Sequence, residues 1–425
     1  MQKLNALRGL FAISPIIVLL TVYLCGSIIA GDFYRIPIAV AFLVAAIYAI
    51  AIAKEGSINE RIDTFSKGAA NTRIMYMVWI FVLAGAFAKT TEAMGAIDAT
   101  VAVARSTIPA NYLPAGIFIA SCFVSLSIGT SVGTIVALTP VVTTLAGQIG
   151  CDTVWMVAIV VGGAFFGDNL SFISDTTIAA TRTQGCSMAD KFRMNIRIAG
   201  PAALIVAVLY IFIGKSGAAI PGSGPIDWVL LIPYILVIVL AISGVDVSLV
   251  LTIGLIVNAI IGFAGGGLTW SGYLESIGSG ISGMGDLIIV TMMAGGMLEL
   301  IKANGGLDYI VGKLTKKING RRGAEFSIAA LVSLANICTA NNTIAIITTG
   351  GIAKDITAKY GIDPRRSASI LDTFSCLIQG LLPYGAQLLM ASGLAGVTSI
   401  SIMGYLYYPF VLGAVAILAI LIKRS

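Results

Sequence analysis

Apolar runs of about twenty residues, the length of helix that crosses a bilayer, recur in this chain from Leu10 to Ile422, and short segments between them hold most of its charge. That pattern restricts the fold more than any single motif. A hydrocarbon core of ~30 Å is crossed by about 20 helical residues, and lipid offers free backbone groups no partner, so each span must satisfy its own. Composition agrees: 58% of the 425 residues are hydrophobic and 11% are charged, against roughly 25% charged in soluble domains. The expected fold is an all-α polytopic membrane protein.

The inventory then excludes several chemistries. There is no histidine, so imidazole metal ligation, Ser-His-Asp catalysis and histidine pH sensing are ruled out. Cys25, Cys122, Cys151, Cys186, Cys338 and Cys376 show no CxxC spacing and read as small apolar residues. The net charge of +6 is spread over many short loops, which does not suggest nucleic-acid binding. Lys3 and Arg8 before an apolar run resemble a signal peptide, but the run to Ala30 is long and no A-x-A-like site precedes Gly31. A retained first helix is expected, and neither a cofactor nor an enzymatic activity.

Spans fall near 10–30, 36–53, 73–93, 154–181 and 198–214, then near 227–243, 246–264, 286–303, 367–393 and 400–422. Two further stretches, 113–149 and 324–353, do not fit single crossings. As one helix the first would be about 55 Å long. Each is interrupted by small polar residues, SLSIGTSVGT at 125–134 and NICTANNT at 336–343. Re-entrant hairpins, returning to the side they entered from, are the natural reading. With a cytoplasmic N-terminus, that parity places 22 of the 26 Lys and Arg inside, Lys191 and Arg366 among them. Only Arg35, Lys89, Arg105 and Lys215 then face outward. This is the distribution the positive-inside rule favours, with both termini at the cytoplasmic face of the cell membrane.

The halves resemble each other. AGAFAKTTEAMGAID (84–98) aligns on AGGMLELIKANGGLD (294–308), IGTSVGTI (128–135) on ICTANNTI (337–344), and GDNLS (167–171) on LDTFS (371–375). Odd parity makes the second half inverted. The expected organisation is residues 1–215 as a first inverted-topology repeat, with hairpin 113–149 and broken helix 154–181. Residues 216–425 form the second, with hairpin 324–353 and broken helix 367–393. That is about ten transmembrane helices with two re-entrant hairpins and two discontinuous helices, the architecture of secondary transporters.

Asp168 and Asp175 are the only charges between Asp152 and Arg182, and Asp372 the only one between Arg366 and Lys423. A carboxylate in a membrane interior is costly unless paired, protonated or bound to a cation. One that exchanges H⁺ for Na⁺ is the simplest coupling device here. Hard cations want oxygen ligands, which Asn169, Ser171, Ser174 and Thr176 supply at one break, and Ser375 and Gln379 at the other. The hairpin tips add Ser127, Thr130, Ser131 and Thr134, then Thr339, Asn341, Asn342 and Thr343. The bland alternatives stand beside this: Asp175 or Ser174 capping a helix, and tips that are plain turns. Lys89–Glu92 and Glu299–Lys302 read first as i,i+3 pairs.

GGAFFGDNLSFISDTTIAATRTQG (162–185), supported by SLSIGTSVGT (125–134), resembles the NhaC-type sodium/proton antiporter family of the ion-transporter superfamily. Phe172 stands where the family pattern has a proline after the motif serine. The resemblance implies Na⁺ efflux driven by inward H⁺ flow, with Asp168 and Asp175 as the Na⁺-binding acids. It also implies a transport domain moving against a scaffold, often in a homodimer. The family includes exchangers of organic substrates, such as malate/lactate antiporters coupled to Na⁺ and H⁺. The alternative function is therefore a Na⁺- or H⁺-coupled carrier of a small organic anion or amino acid. An intramembrane aspartyl enzyme, the third reading, leaves the repeat and hairpins without a use.

Overall fold

A computed structural model describes residues 6–30, 37–54, 56–96, 99, 112–171, 174–214, 227–243, 245–306, 308–309, 313, 318 and 320–422. Phe172 and the side chain of Ser127 lie outside the described residues. All the elements are helical, with no strand among the described residues. The first half holds α1 (Ala6–Ala30), α2 (Ile38–Ile52), α3 (Ile58–Ala69), α4 (Thr72–Ala93), α5 (Leu113–Ile128), α6 (Ser131–Ile149), α7 (Thr153–Leu170), α8 (Asp175–Gln184) and α9 (Met188–Ile213). The second holds α10 (Ile232–Ile242), α11 (Val247–Ala264), α12 (Trp270–Gly283), α13 (Gly285–Ala303), α14 (Gly320–Thr339), α15 (Asn342–Lys359), α16 (Pro364–Gly380), α17 (Ala386–Ala395), α18 (Ser399–Met403) and α19 (Tyr407–Ile422).

So apolar a chain is divided into helices by its few polar residues. Asp152 caps α7, accepting from the Val154 amide at 2.8 Å, and Asp363 caps α16 from the Arg365 amide at 2.9 Å. Such caps hold amides that the first turn leaves unpaired. Among the described residues, five segments are long and apolar enough to cross a membrane: 74–93, 153–184, 188–213, 247–264 and 270–303. α9, α11 and α19 present large apolar side chains outward, among them Phe212, Ile260 and Phe410.

The helix α7 is the opposite case. Met156 to Val161 are each 0% exposed, and the whole helix is apolar around its circumference, as a helix surrounded by others must be. α5, α6, α9, α16 and α19 pack around it. Glycines set the closest of these contacts. A Cβ on Gly163 or Gly167 would run into Ser121 or Ser125 of α5, and the Ser125 hydroxyl donates to the Ala164 carbonyl at 2.5 Å. A second group forms where α3 packs on α13 and α4 on α12. There Gly68 meets Gly295 and Gly85 meets Gly280.

Three helices depart from the expected spans. α3 fills 58–69, which reads as loop in the sequence, behind a Ser57–Glu60 capping box. α9 begins at Met188, well before residue 198, because Lys191, Arg193 and Arg197 interrupt the apolar run but not the helix. α12 occupies 270–283, which reads as loop in the sequence. Its serines and glycines lower its hydropathy yet let it approach α4 closely.

Candidate functional site

Four of the places where a helix stops and another starts surround one cavity. α5 ends at Gly129, in the left-handed region at φ 79°, and Thr130 opens α6. α14 ends beside Ala340, the one described non-glycine residue with positive φ (47°), and Asn341 opens α15. α7 ends at Leu170 and α8 starts after Ser174, while α16 ends at Gly380 and α17 starts after Gly385. The cavity, of about 710 Å³, is lined from every one of these breaks, and also by Tyr76 of α4 and by Asp246. Thr130, Ser131, Asp168, Ser174, Asp175 and Thr176 line it from the first half, and Asn341, Asn342, Thr343, Gln379 and Gln387 from the second.

Asp168 sits in the last turn of α7, 4% exposed. Its carboxylate accepts from the Ser131 amide at 3.0 Å and from the Ser131 hydroxyl at 2.5 Å. No basic side chain pairs with it among the described residues. Ser131 in turn accepts from Gln387 Nε2 at 3.0 Å, and Gln387 Oε1 accepts from Gln379 Nε2 at 2.9 Å. The same Gln379 amide donates to the Ala340 carbonyl at 3.1 Å. One hydrogen-bonded chain thus runs from Asp168 through the first tip and the second broken helix to the second tip. Thr176 donates to the Asp168 carbonyl at 3.1 Å and shares a hydrogen bond with Ser174. Asp175, in contrast, is exposed at the start of α8. Ser174 is the N-cap residue there but its side chain makes no cap hydrogen bond, and Asp175 is an acid in the first turn of the helix.

Asp372 is held differently. It is fully buried, and its Oδ2 lies 2.6 Å from Lys191 Nζ and 2.8 Å from Asn195 Nδ2. Lys191, 1% exposed, also donates to the Asn169 carbonyl and to Thr177 Oγ1, both at 2.6 Å. An ammonium has three protons to donate, and each here has an acceptor. The Asn169 carbonyl is one of those that the end of α7 leaves without an intrahelical partner. Lys191 therefore does not face the cytoplasm as the charge count has it; it lies inside, tying α9 to α16 and to the end of α7. Arg366 is likewise buried, 3.1 Å from Glu325. Both departures have one cause: a charge near the start of a long helix can turn inward when a buried acid offers a partner.

The remaining residues separate by depth. Asn169, Ser171, Thr134 and Ser375 are buried and do not line the cavity; Thr134 donates to Thr130 O and Ser375 to Asp372 O. Thr339 donates to Asn341 O and lines a smaller cavity of about 170 Å³ that also holds Glu299. Lys89–Glu92 at 2.7 Å and Glu299–Lys302 at 3.6 Å are exposed i,i+3 pairs. The sequence pairing of Asp168 with Asp372 does not hold in space. Asp168 lies in the final turn of its helix, Asp372 two turns before the end of α16. Counted back from the helix that follows, Gln379 lies as far before Ala386 of α17 as Asp168 lies before Asp175 of α8, and Asn342 is the first residue of α15 as Ser131 is of α6. The ungapped alignment missed this because turn geometry, not residue likeness, fixes the register.

Missed altogether in the sequence were Tyr76 and Asp246, joined by a 2.6 Å hydrogen bond at the cavity wall, and the pair Lys191 and Asn195. A signal existed for the latter: i,i+4 spacing places Lys191 and Asn195 on one face of α9. Among the described residues no three acids or cysteines converge to hold a metal. The site is one of single carboxylates among hydroxyl, amide and carbonyl oxygens.

A family model described as Na+/H+ antiporter family matches residues 6–215 and 226–423. The chain belongs to the Na⁺/H⁺ antiporter family. The malate-2H(+)/Na(+)-lactate antiporter of Bacillus subtilis is 25% identical, over 95% of this chain and 93% of its own. The Na(+)/H(+) antiporter NhaC of the same organism is 25% identical, over 83% of this chain and 84% of its own. That of Alkalihalophilus pseudofirmus is 22% identical, over 88% and 87%. A solved transporter, YdaH of Alcanivorax borkumensis, covers 85% of this chain and 86% of its own at a TM-score of 0.42 and 13% identity. As a member of the Na⁺/H⁺ antiporter family, the chain is a multi-pass membrane protein and a transporter.

Proposed function

We propose that this protein exchanges Na⁺ for H⁺ across the cytoplasmic membrane, with Asp168 alternately protonated and bound to Na⁺. One observation carries this: Asp168 is buried and has no cationic partner among the described residues, while Asp372, on the neighbouring α16, has Lys191. A buried carboxylate without a counter-charge must hold a proton or a cation, and a site that can hold only one of them at a time couples the two. Ser131, Ser174 and Thr176 offer oxygens suited to a hard alkali cation. Asp175 at the mouth draws cations inward, and Asp372, already neutralised, stays out of the exchange.

The order of elements supports two inverted repeats, 1–215 and 216–425. α3–α4, α5–α6 and α7–α8 have counterparts in α12–α13, α14–α15 and α16–α17, with the crossed contacts Gly68–Gly295 and Gly85–Gly280 between halves. The predominance of Lys and Arg in the loops assigned inside argues for cytoplasmic termini. In that orientation the Tyr76, Asp175 and Asp246 side of the cavity faces the cytoplasm. A cavity of about 710 Å³ is far roomier than Na⁺ requires. Together with the malate/lactate relative, this favours as the second reading a carrier that also takes a small organic solute.

Proteoliposomes with an internal pH dye separate the two. Adding Na⁺ alone should dissipate an imposed proton gradient, and Asp168→Asn should abolish the response. A signal that appears only when malate, lactate or another organic solute joins Na⁺ would establish the second reading instead.

A further inference from the structure

A second cluster of charge lies away from the transport cavity, where the first turns of α9, α14 and α16 meet. It lines a cavity of about 300 Å³ with five guanidinium groups, those of Arg193, Arg197, Arg321, Arg365 and Arg366. Two of the five are already neutralised. Arg365 grips Asp363 at 2.6 Å and Arg366 reaches Glu325 at 3.1 Å. The third acid on the wall, Asp190, accepts from the Ser187 hydroxyl at 2.8 Å. Arg193, Arg197 and Arg321 make no hydrogen bond or ion pair among the described residues. The walls are left with a net positive charge and three exposed guanidinium groups that have no partner among the described residues.

The position of this cavity restricts what fills it. Arg193 and Arg197 are one turn apart on α9, and the outward apolar belt of that helix, Leu204, Ile205, Leu209 and Phe212, begins two turns beyond them. From the other side, Arg366 donates to the Ala419 carbonyl at 2.9 Å, and Leu418 and Leu421 next to it are exposed. Two helices with lipid-facing apolar surface thus place the cavity at the edge of the hydrocarbon layer, the depth of phospholipid headgroups. Guanidinium forks match phosphate oxygens in geometry as well as charge, and basic pockets between spanning helices are suited to anionic headgroups.

We infer that this cavity binds the phosphate of an anionic phospholipid headgroup through Arg193, Arg197 and Arg321. A zwitterionic headgroup would bring its own ammonium against the arginines and is disfavoured by the same net charge.

The test is a titration of a fluorescent phosphatidylglycerol into the full-length protein in uncharged detergent, followed by competition. Unlabelled phosphatidylglycerol should displace the probe and phosphatidylcholine should not. Displacement by millimolar inorganic phosphate would confirm the anion site and assign it to soluble phosphate; no displacement by phosphate leaves the lipid as the ligand. Arg193→Gln/Arg197→Gln should weaken probe binding roughly thirty-fold, from about five-fold per surface cation. Arg321→Gln, on a different helix, should weaken it several-fold. Lys354→Gln, an exposed base outside the cavity, should leave it unchanged. Retained Na⁺-driven proton movement in the double variant verifies its fold. Wild-type affinity in both arginine variants, or an equal loss in Lys354→Gln, would overturn the assignment.

Discussion

Lys191 donates to three acceptors on two helices and a helix end, and the loss of its charge leaves Asp372 buried with neutral hydrogen-bond donors such as Asn195 but no cationic partner among the described residues. Breaking a buried pair from one side costs about 3–5 kcal/mol, whereas replacing both partners by apolar groups is often close to neutral. Lys191→Met should therefore lower the thermal unfolding temperature sharply, and Lys191→Met/Asp372→Leu should recover most of it. If the double variant unfolds as early as the single one, the ion pair is not the cause. Asp168 obeys another logic under the proposed exchange, in which a proton and a cation from solution take turns on its carboxylate. H⁺ and Na⁺ compete there, so the apparent KM for Na⁺ should rise as pH falls, with kcat at saturating Na⁺ little changed. Asp175 is exposed, and its attraction for Na⁺ is screened by salt. Asp175→Asn should keep exchange, with a raised KM for Na⁺ that converges on wild type at high ionic strength, as read by the same dye assay.

At the scale of helices, the glycines of α7 decide how near the first tip comes to Asp168. Ser131 can reach that carboxylate only because α5 lies against Gly163 and Gly167. A methyl group at Gly167 meets both backbone and side chain of Ser125, neither of which can swing away. Overpacking of this kind costs about 1–3 kcal/mol, so Gly167→Ala should lower stability and slow exchange together. A methyl group at Gly147 on α6 would meet nothing within 4 Å. There Gly→Ala should be neutral or stabilising by up to ~1 kcal/mol, the helix propensity difference. Thermal unfolding of the two variants side by side checks the contrast. Much of this level was legible in the sequence. SLSIGTSVGT and NICTANNT lie at the two tips, and GDNLS lies at the first break, because glycine and short polar side chains tolerate a chain leaving its helix. The pairing of the two halves at the breaks was less legible: Ala340 takes the backbone conformation of Gly129 without sharing its side chain.

For the molecule as a whole, the orientation that places Asp175 and Asp246 toward the cytoplasm is open to direct measurement. In a background without native cysteines, Lys354→Cys should react with an impermeant maleimide only from the cytoplasmic side, and Lys89→Cys only from the opposite side. Labelling of both from one side would refute the assumed parity. The sequence by itself determined that the chain lies in a membrane as helices, since a span of apolar residues has no other way to satisfy its backbone. It also located the breaks between helices, because those signals are local. Only the tertiary structure decided which acid is free. Lys191 and Arg366 read as loop charges along the chain, and they become interior partners when α9 and α16 pack beside the ends of α7 and α14. A charge's role depends on what stands within a few ångströms of it, and that distance is set by packing between segments far apart in the chain.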